Sequence, residues 1–190
     1  MPCALVQWRG WGGVRRVAVI GCPGAGKSTF ARRLGVVLGI EVVHLDRLYW
    51  HPGWVRTPAE QWAQIQAAAL QADRWIVDGN YAATLHLRVT AADTVIFLDF
   101  PTAVCLWRSL LRVARSRRTT RPDMADGCRE RVNLEFLRFI WSFRRAKRPG
   151  MVRRLQEVQG DKHVVYLRSS GDADAFLARA RQRAMLSADP

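Results

Sequence analysis

Long apolar runs are missing from this chain: none approaches the ~18 residues of a membrane span, so a transmembrane helix is not expected. Cysteine is scarce. Cys3, Cys22, Cys105 and Cys128 form no C-x-x-C pair, and no His stands at metal-ligand spacing from them. That argues against a zinc ribbon and a disulfide framework and leads to the expectation of reduced thiols in a cytoplasmic protein. Acidic residues are few, 16 against 30 Lys and Arg, and nearly all the bases are Arg. No internal repeat and no linker breaks the chain, so its 190 residues read as one domain over 15–190. The first 14 residues, MPCALVQWRGWGGV, carry no clear period and no signal-peptide pattern. They are expected to be a loose extension, with the native chain starting at Val14.

What is abundant is positive charge in one place. Between Arg108 and Arg154 stand fourteen Arg and one Lys against Asp123, Asp126, Glu130 and Glu135, which accounts for most of the net +14. A segment of that kind attracts anions: nucleotide phosphates, nucleic acid or an acidic surface.

Apolar β-branched runs alternate with helical stripes. Strands are expected at 16–20, 41–45, 74–77, 94–98 and 163–167. Helices are expected at 28–38, from Pro58 with Trp62, Ile65, Ala69 and Leu70 on one face, at 101–115 with Val104, Trp107, Leu111 and Leu110 inward, at 129–147, and at 170–187 capped by Ser170 or Asp172. In the 129–147 helix, Val132, Phe136, Ile140 and Phe143 recur on one face, so packing explains many of its aromatics. Strands separated by helices imply an α/β, three-layer α/β/α fold with a five-stranded parallel sheet. Ligands of such sheets bind beyond the carboxyl ends of the strands. Four strands end there in Gly21, Asp46, Asp78-Gly79 and Asp99.

One of those ends is specific. Gly21-x4-Gly26-Lys27-Ser28 matches G-x-x-x-x-G-K-[ST], between an apolar strand and a helix. Glycines let the backbone curl around an anion with amide N–H groups inward, and the following helix turns its positive end to the same phosphates. Gly21, Pro23, Gly24, Ala25, Gly26, Lys27, Ser28 and Thr29 are therefore expected to bind ATP, Lys27 to bridge the β- and γ-phosphates, and Ser28 to ligate Mg²⁺.

Three further segments resemble adenylate kinases: Trp75-Ile-Val-Asp78-Gly79-Asn80-Tyr81, Phe97-Leu-Asp99-Phe-Pro101 followed by Arg108 and Arg112, and Thr119-Thr-Arg121 followed by Arg129 and Arg131. With HLDRLYW, DGNY and RTRPD in addition, the span 16–148 is similar to the bacterial DNA topology modulation protein family, which is grouped with adenylate-kinase-like P-loop proteins. The resemblance implies a nucleotide-kinase-like strand order 2-3-1-4-5 and a short Arg-rich lid at about 117–127. It implies Arg108 against the adenine ring, Arg112 and Arg121 on the transferring phosphates with Arg131 a weaker candidate, and Asp78 near Mg²⁺ through water. Where adenylate kinases follow Asp-Gly with Phe-Pro-Arg, this chain has Asn80-Tyr81-Ala82, which removes an arginine that helps bind the acceptor nucleotide.

Asp46 is the candidate to face the acceptor hydroxyl as base or orienting group. Tyr49, Trp50 and Trp54 offer either a stacking surface or a hydrophobic plug, Arg47 either an acceptor contact or a solvated charge, and His44 reads as structural. Asp99 reads as a helix cap. The function expected is an ATP- and Mg²⁺-dependent kinase passing the γ-phosphate to a nucleotide or other small acceptor, with Lys27, Asp46, Arg112 and Arg121 catalytic. The alternative is a nucleic-acid-associated ATPase or regulator using the basic 108–154 segment.

Overall fold

The computed structural model describes residues 14–115, 123–125, 127–128 and 134–186. The extension expected over 1–14, apart from Val14, lies outside those residues, as do Arg121, Arg129, Arg131, Val132 and most of the expected lid.

Five strands form one sheet: β1 (Arg16–Gly21), β2 (Val42–His44), β5 (Trp75–Asp78), β6 (Thr94–Leu98) and β7 (His163–Leu167), with β3 (Trp50–His51) and β4 (Val55–Arg56) pairing separately as an antiparallel hairpin. The sheet order is β2-β5-β1-β6-β7 and every pairing within it is parallel. Ranked among the five, this is the expected 2-3-1-4-5. The three central strands are apolar and buried almost throughout, as a sheet covered on both faces requires. Register brings Gly21 beside Leu98, and both Val19 and His44 beside Asp78, so the polar strand ends meet at one edge.

The helices are α1 (Lys27–Leu38), α2 (Leu45–Tyr49), α3 (Ala59–Ala69), α4 (Leu85–Ala91), α5 (Thr102–Arg115), α6 (Leu134–Ala146), α7 (Arg148–Val158) and α8 (Ser170–Leu186). α1 packs on β1, β2 and β5 with α8 beside it, α4 packs on β1, and α5, α6 and α7 pack in series. Among the described residues, no helix is long and apolar enough to cross a membrane.

Several local expectations are corrected. The second strand stops at His44, so Asp46 is not a strand end but lies in the first turn of α2. The aromatic segment after it forms a hairpin. A 3-10 turn at Ala82–Thr84 and the short, partly β-branched α4 carry too weak a period to be read in advance. α7 was masked by Pro149-Gly150; its proline stands in the first turn, where the missing N–H has no intrahelical partner to lose.

α5 is turned relative to the expected stripe. Trp107 and Leu110 are exposed at 62% and 45%, whereas Cys105 and Ser109 are buried. The cause is close approach: a Cβ on Gly24 would stand 2.2 Å from the Cys105 carbonyl and 2.5 Å from Ser109 Oγ, so only small side chains fit between α5 and the phosphate loop. The cap of α8 is Ser169, whose Oγ accepts from the Asp172 N–H at 3.1 Å, while Asp172 accepts from the Ser169 N–H at 3.1 Å. α6 does bury Ile140 and Phe143, and Phe136 is half-buried on the same face.

Candidate active site

A cleft of about 1230 Å³ opens above the carboxyl ends of the strands. Its floor is the phosphate loop, with Pro23, Gly24, Ala25, Gly26, Lys27, Ser28 and Thr29 lining it, and Gly21 beneath at the end of β1. The first turn of α1 has no side-chain cap and no acidic residue. A helix start whose N–H groups have no side-chain acceptor, facing a cleft, is suited to an anion.

Lys27 Nζ donates to the Cys22 carbonyl at 3.2 Å. Burial pulls its pKa below the ordinary lysine value, against the pull of the Asp46 and Asp78 carboxylates, which favour the charged form. A half-buried ammonium near two carboxylates, at the start of an uncapped helix, gains when a polyphosphate enters. Beside it, the Cys22 and Cys105 thiols share a hydrogen bond, and that contact with burial keeps the Cys22 thiol protonated.

Asp78 is 4% exposed, and its Oδ1 lies 2.7 Å from His44 Nδ1. Burial opposes charge on His44, but the hydrogen bond to Asp78, its charge and that of Asp123 outweigh burial, so the imidazole pKa is raised. His44 is thus the partner of a candidate metal-site carboxylate, a role its place at the end of β2 did not reveal. Asp123, from RTRPD, is buried and lines the cleft. Sequence reading passed over it because nothing near it is periodic.

Asp46 lines the same cleft, close enough to Lys27 to favour its charged form. Tyr81 donates its O–H to Asp46 Oδ1 at 2.7 Å. Burial first, then the charge of Asp46, pushes the Tyr81 phenol well above its usual range, so it remains a donor. Tyr81 is held from behind by Arg88, which is fully buried and donates to the Tyr81 carbonyl at 3.2 Å and to Gln66 Oε1. Burial lowers the Arg88 pKa to about 10. No sequence signal marked Arg88; only the packing of α3 against α4 makes it a support of the site.

The aromatic segment is both plug and wall. Tyr49, Trp62 and Tyr81 pack together at centroid separations of 4.6 to 4.9 Å. Trp50 and Trp54 meet at 5.3 Å and 72° and line the cleft. Trp54 has φ 66, the only non-glycine residue with positive φ among the described residues. That conformation costs a non-glycine residue about 1 kcal/mol. Arg47 is exposed and does not line the cleft.

Arg108 donates to the Ala25 carbonyl at 3.0 Å and to Ser170 Oγ at 2.7 Å, with its guanidinium 5.1 Å over Phe100. It therefore borders the phosphate loop. Arg112, one turn on, faces the same cleft with its guanidinium 5.9 Å over Phe136. Arg121 and Arg131 fall outside the described residues. Asp99 does not serve as a helix cap: Arg148 grips both its oxygens at 2.7 and 2.6 Å.

For Mg²⁺, Ser28 and Asp78 are the protein oxygens at hand, both lining the cleft. Among the described residues, no group of three His, Cys, Asp or Glu side chains could hold an ion. That donor set fits an ion which takes one or two protein oxygens and completes its shell with phosphate and water.

No family model and no curated protein matches the chain. Solved structures do. A sugar kinase from Janibacter sp. HTCC2649 aligns with TM-score 0.50 and 17% identity, covering 91% of this chain and 93% of its own. Shikimate kinase from Acinetobacter baumannii, in complex with shikimate, aligns with TM-score 0.54 and 15% identity, covering 93% and 96%. At these identities the likeness is one of fold, a five-stranded parallel sheet between layers of helices.

Proposed function

We propose that this protein is an ATP-dependent phosphotransferase that moves the γ-phosphate to a small acceptor held across the cleft from the phosphate loop. The observation that carries the reading is the second wall: Asp46, oriented by Tyr81 at 2.7 Å, within electrostatic reach of Lys27. A nucleotide sensor has no need of an oriented carboxylate in the cleft, and the aromatic wall beside it suits an organic acceptor better than a water molecule. The resemblance of GKST, HLDRLYW, DGNY and the 108–131 arginines to adenylate-kinase-like proteins and to the DNA topology modulation family supports the same class.

In this reading the P-loop amides and Lys27 hold the triphosphate, with Ser28 and Asp78 toward the metal. Bound Mg²⁺ would neutralise charge on the β- and γ-phosphates. His44 holds the Asp78 carboxylate in place. Arg112 supplies positive charge where the transferring group becomes most anionic, a role the resemblance also implies for Arg121. Arg108, at the rim beside Ala25, borders the nucleotide. Asp46 orients the acceptor and takes its proton.

The alternative, a nucleic-acid-associated ATPase, draws on the exposed Trp107 and Trp141 among the arginines of α5 and α6. Arg108, Arg112 and Arg148 of that basic segment already have partners at the cleft or in an ion pair, which favours the transferase.

The test is transfer of γ-label from ATP to a panel of small acceptors. Lys27→Ala should abolish it. Asp46→Asn should lower kcat by roughly 100-fold or more while leaving the KM for ATP within about threefold, as loss of a general base predicts. Phosphate release that rises only with DNA, and no labelled acceptor, would establish the ATPase instead.

A further inference from the structure

A buried charge is ordinarily paired with an opposite one, and among the described residues Arg88 meets no carboxylate. It is fully buried and does not line the cleft. It donates to Gln66 Oε1, to the Tyr81 carbonyl at 3.2 Å and, more weakly, to the Thr84 carbonyl and hydroxyl at 3.5 Å each. All of these acceptors are neutral, and its Nε has no acceptor. Gln66 is fully buried too, fixed by its own bond from Nε2 to Thr84 Oγ1 at 2.7 Å. Burial opposes the charge, yet with a pKa of about 10 the guanidinium stays a cation at neutral pH.

That charge acts on Tyr81. The Tyr81 carbonyl accepts from Arg88, while its phenol donates to Asp46 Oδ1 at 2.7 Å. Burial and the Asp46 charge hold the proton on the phenol, and Arg88 draws it off. A donor polarised by a cation on one side gives a stronger hydrogen bond to a carboxylate on the other. Tyr81 is thus held at both ends, backbone and ring tip.

We propose that Arg88 is a positioning residue for phosphoryl transfer: its unpaired charge, acting through Tyr81, fixes the Asp46 carboxylate. The proposal rests on the transferase reading. Stability and rate then make opposite demands on position 66. A carboxylate there would pair the buried cation and strengthen the fold, and it would cancel the field at Tyr81.

Gln66→Glu therefore separates the two. It keeps the side-chain shape and neutralises Arg88 in place, and the Thr84 hydroxyl can turn to donate to it. The experiment offers γ-labelled ATP and a panel of ribonucleosides, their monophosphates and hexoses to the full chain. On the compound that the parent labels best, Gln66→Glu is expected to lower kcat about tenfold, as misplacement of a reacting group does. It should leave the KM for ATP within about twofold and melt no lower than the parent. Arg88→Met, which keeps the stem and removes the charge, is expected to lower kcat by about the same factor, and Arg88→Lys to recover most of it. In a Tyr81→Phe background, which already lacks the bond to Asp46, Gln66→Glu is expected to lower kcat no further. An unchanged kcat in Gln66→Glu and Arg88→Met overturns the proposal, and so does a loss that recurs in full without the Tyr81 hydroxyl. A lower melting temperature in Gln66→Glu also overturns it, since the lost rate is then a loss of fold. The transferase reading survives each of these results. No labelled compound from the parent overturns that reading and this proposal together.

Discussion

Lys27 occupies a position that favours ligand over fold. Burial lowers its pKa, so its charge works against the folded state until phosphate arrives, even with Asp46 and Asp78 opposing the shift. Lys27→Met keeps the stem and removes the charge. It should abolish nucleotide binding and raise the melting temperature of the ligand-free protein, read by calorimetry; a lower melting temperature would contradict the account. His44 behaves oppositely. Its pKa is raised in the folded state, so the folded chain binds that proton more tightly than the unfolded chain does. The stabilisation is full below the unfolded value of about 6.5 and is lost as pH rises through the folded value. The melting-temperature gap between the parent and His44→Gln should be widest near about pH 6 and narrow by about pH 8. At this scale the phosphate-loop residues were legible, because a backbone cradle needs glycines at set spacing and one lysine. The partnerships of His44 with Asp78 and of Arg88 with Gln66 were not, because each joins residues far apart in the chain, 34 and 22 positions.

At the scale of elements, α5 and α7 show where periodicity misleads and why. The stripe on α5 pointed to Trp107, yet the phosphate loop approaches so closely that Cys105 and Ser109 face it and Trp107 faces solvent. Hydrophobicity ranks side chains by their affinity for water; it does not register a neighbouring backbone that excludes large ones. α7 begins at a Pro-Gly pair that reads as a break, and its start is tied to the sheet by Arg148 on Asp99. Asp99 is 4% exposed on its side chain, so removing its partner leaves a buried carboxylate uncompensated. Arg148→Met should destabilise the fold by about 2–3 kcal/mol. The matching fall in melting temperature is several degrees. If melting is unchanged, the ion pair contributes nothing. The hairpin β3–β4 was read only as an aromatic segment, since two-residue strands carry no measurable alternation. Its form places Trp50 and Trp54 against the cleft.

Across the whole molecule, the five-stranded parallel sheet was legible because strand runs alternate with helix stripes, while its order came from the resemblance that the phosphate-loop motif and the segments after it carry. The concentration of Arg in 108–154 was legible too, but its meaning was not. Folding divides those arginines: Arg108 goes to the phosphate loop, Arg112 to the cleft wall, and Arg148 to a structural ion pair. By itself the sequence determined the fold class and pointed to the candidate donor half of the site, since both depend on local pattern: alternation of strand and helix, and a glycine-rich loop between a strand and a helix. Only the tertiary structure decided the other half. The wall that joins Asp46, Trp54, Tyr81 and Asp123 draws on three separate stretches of chain, and its shape and charge exist only once folding has brought those stretches to one edge.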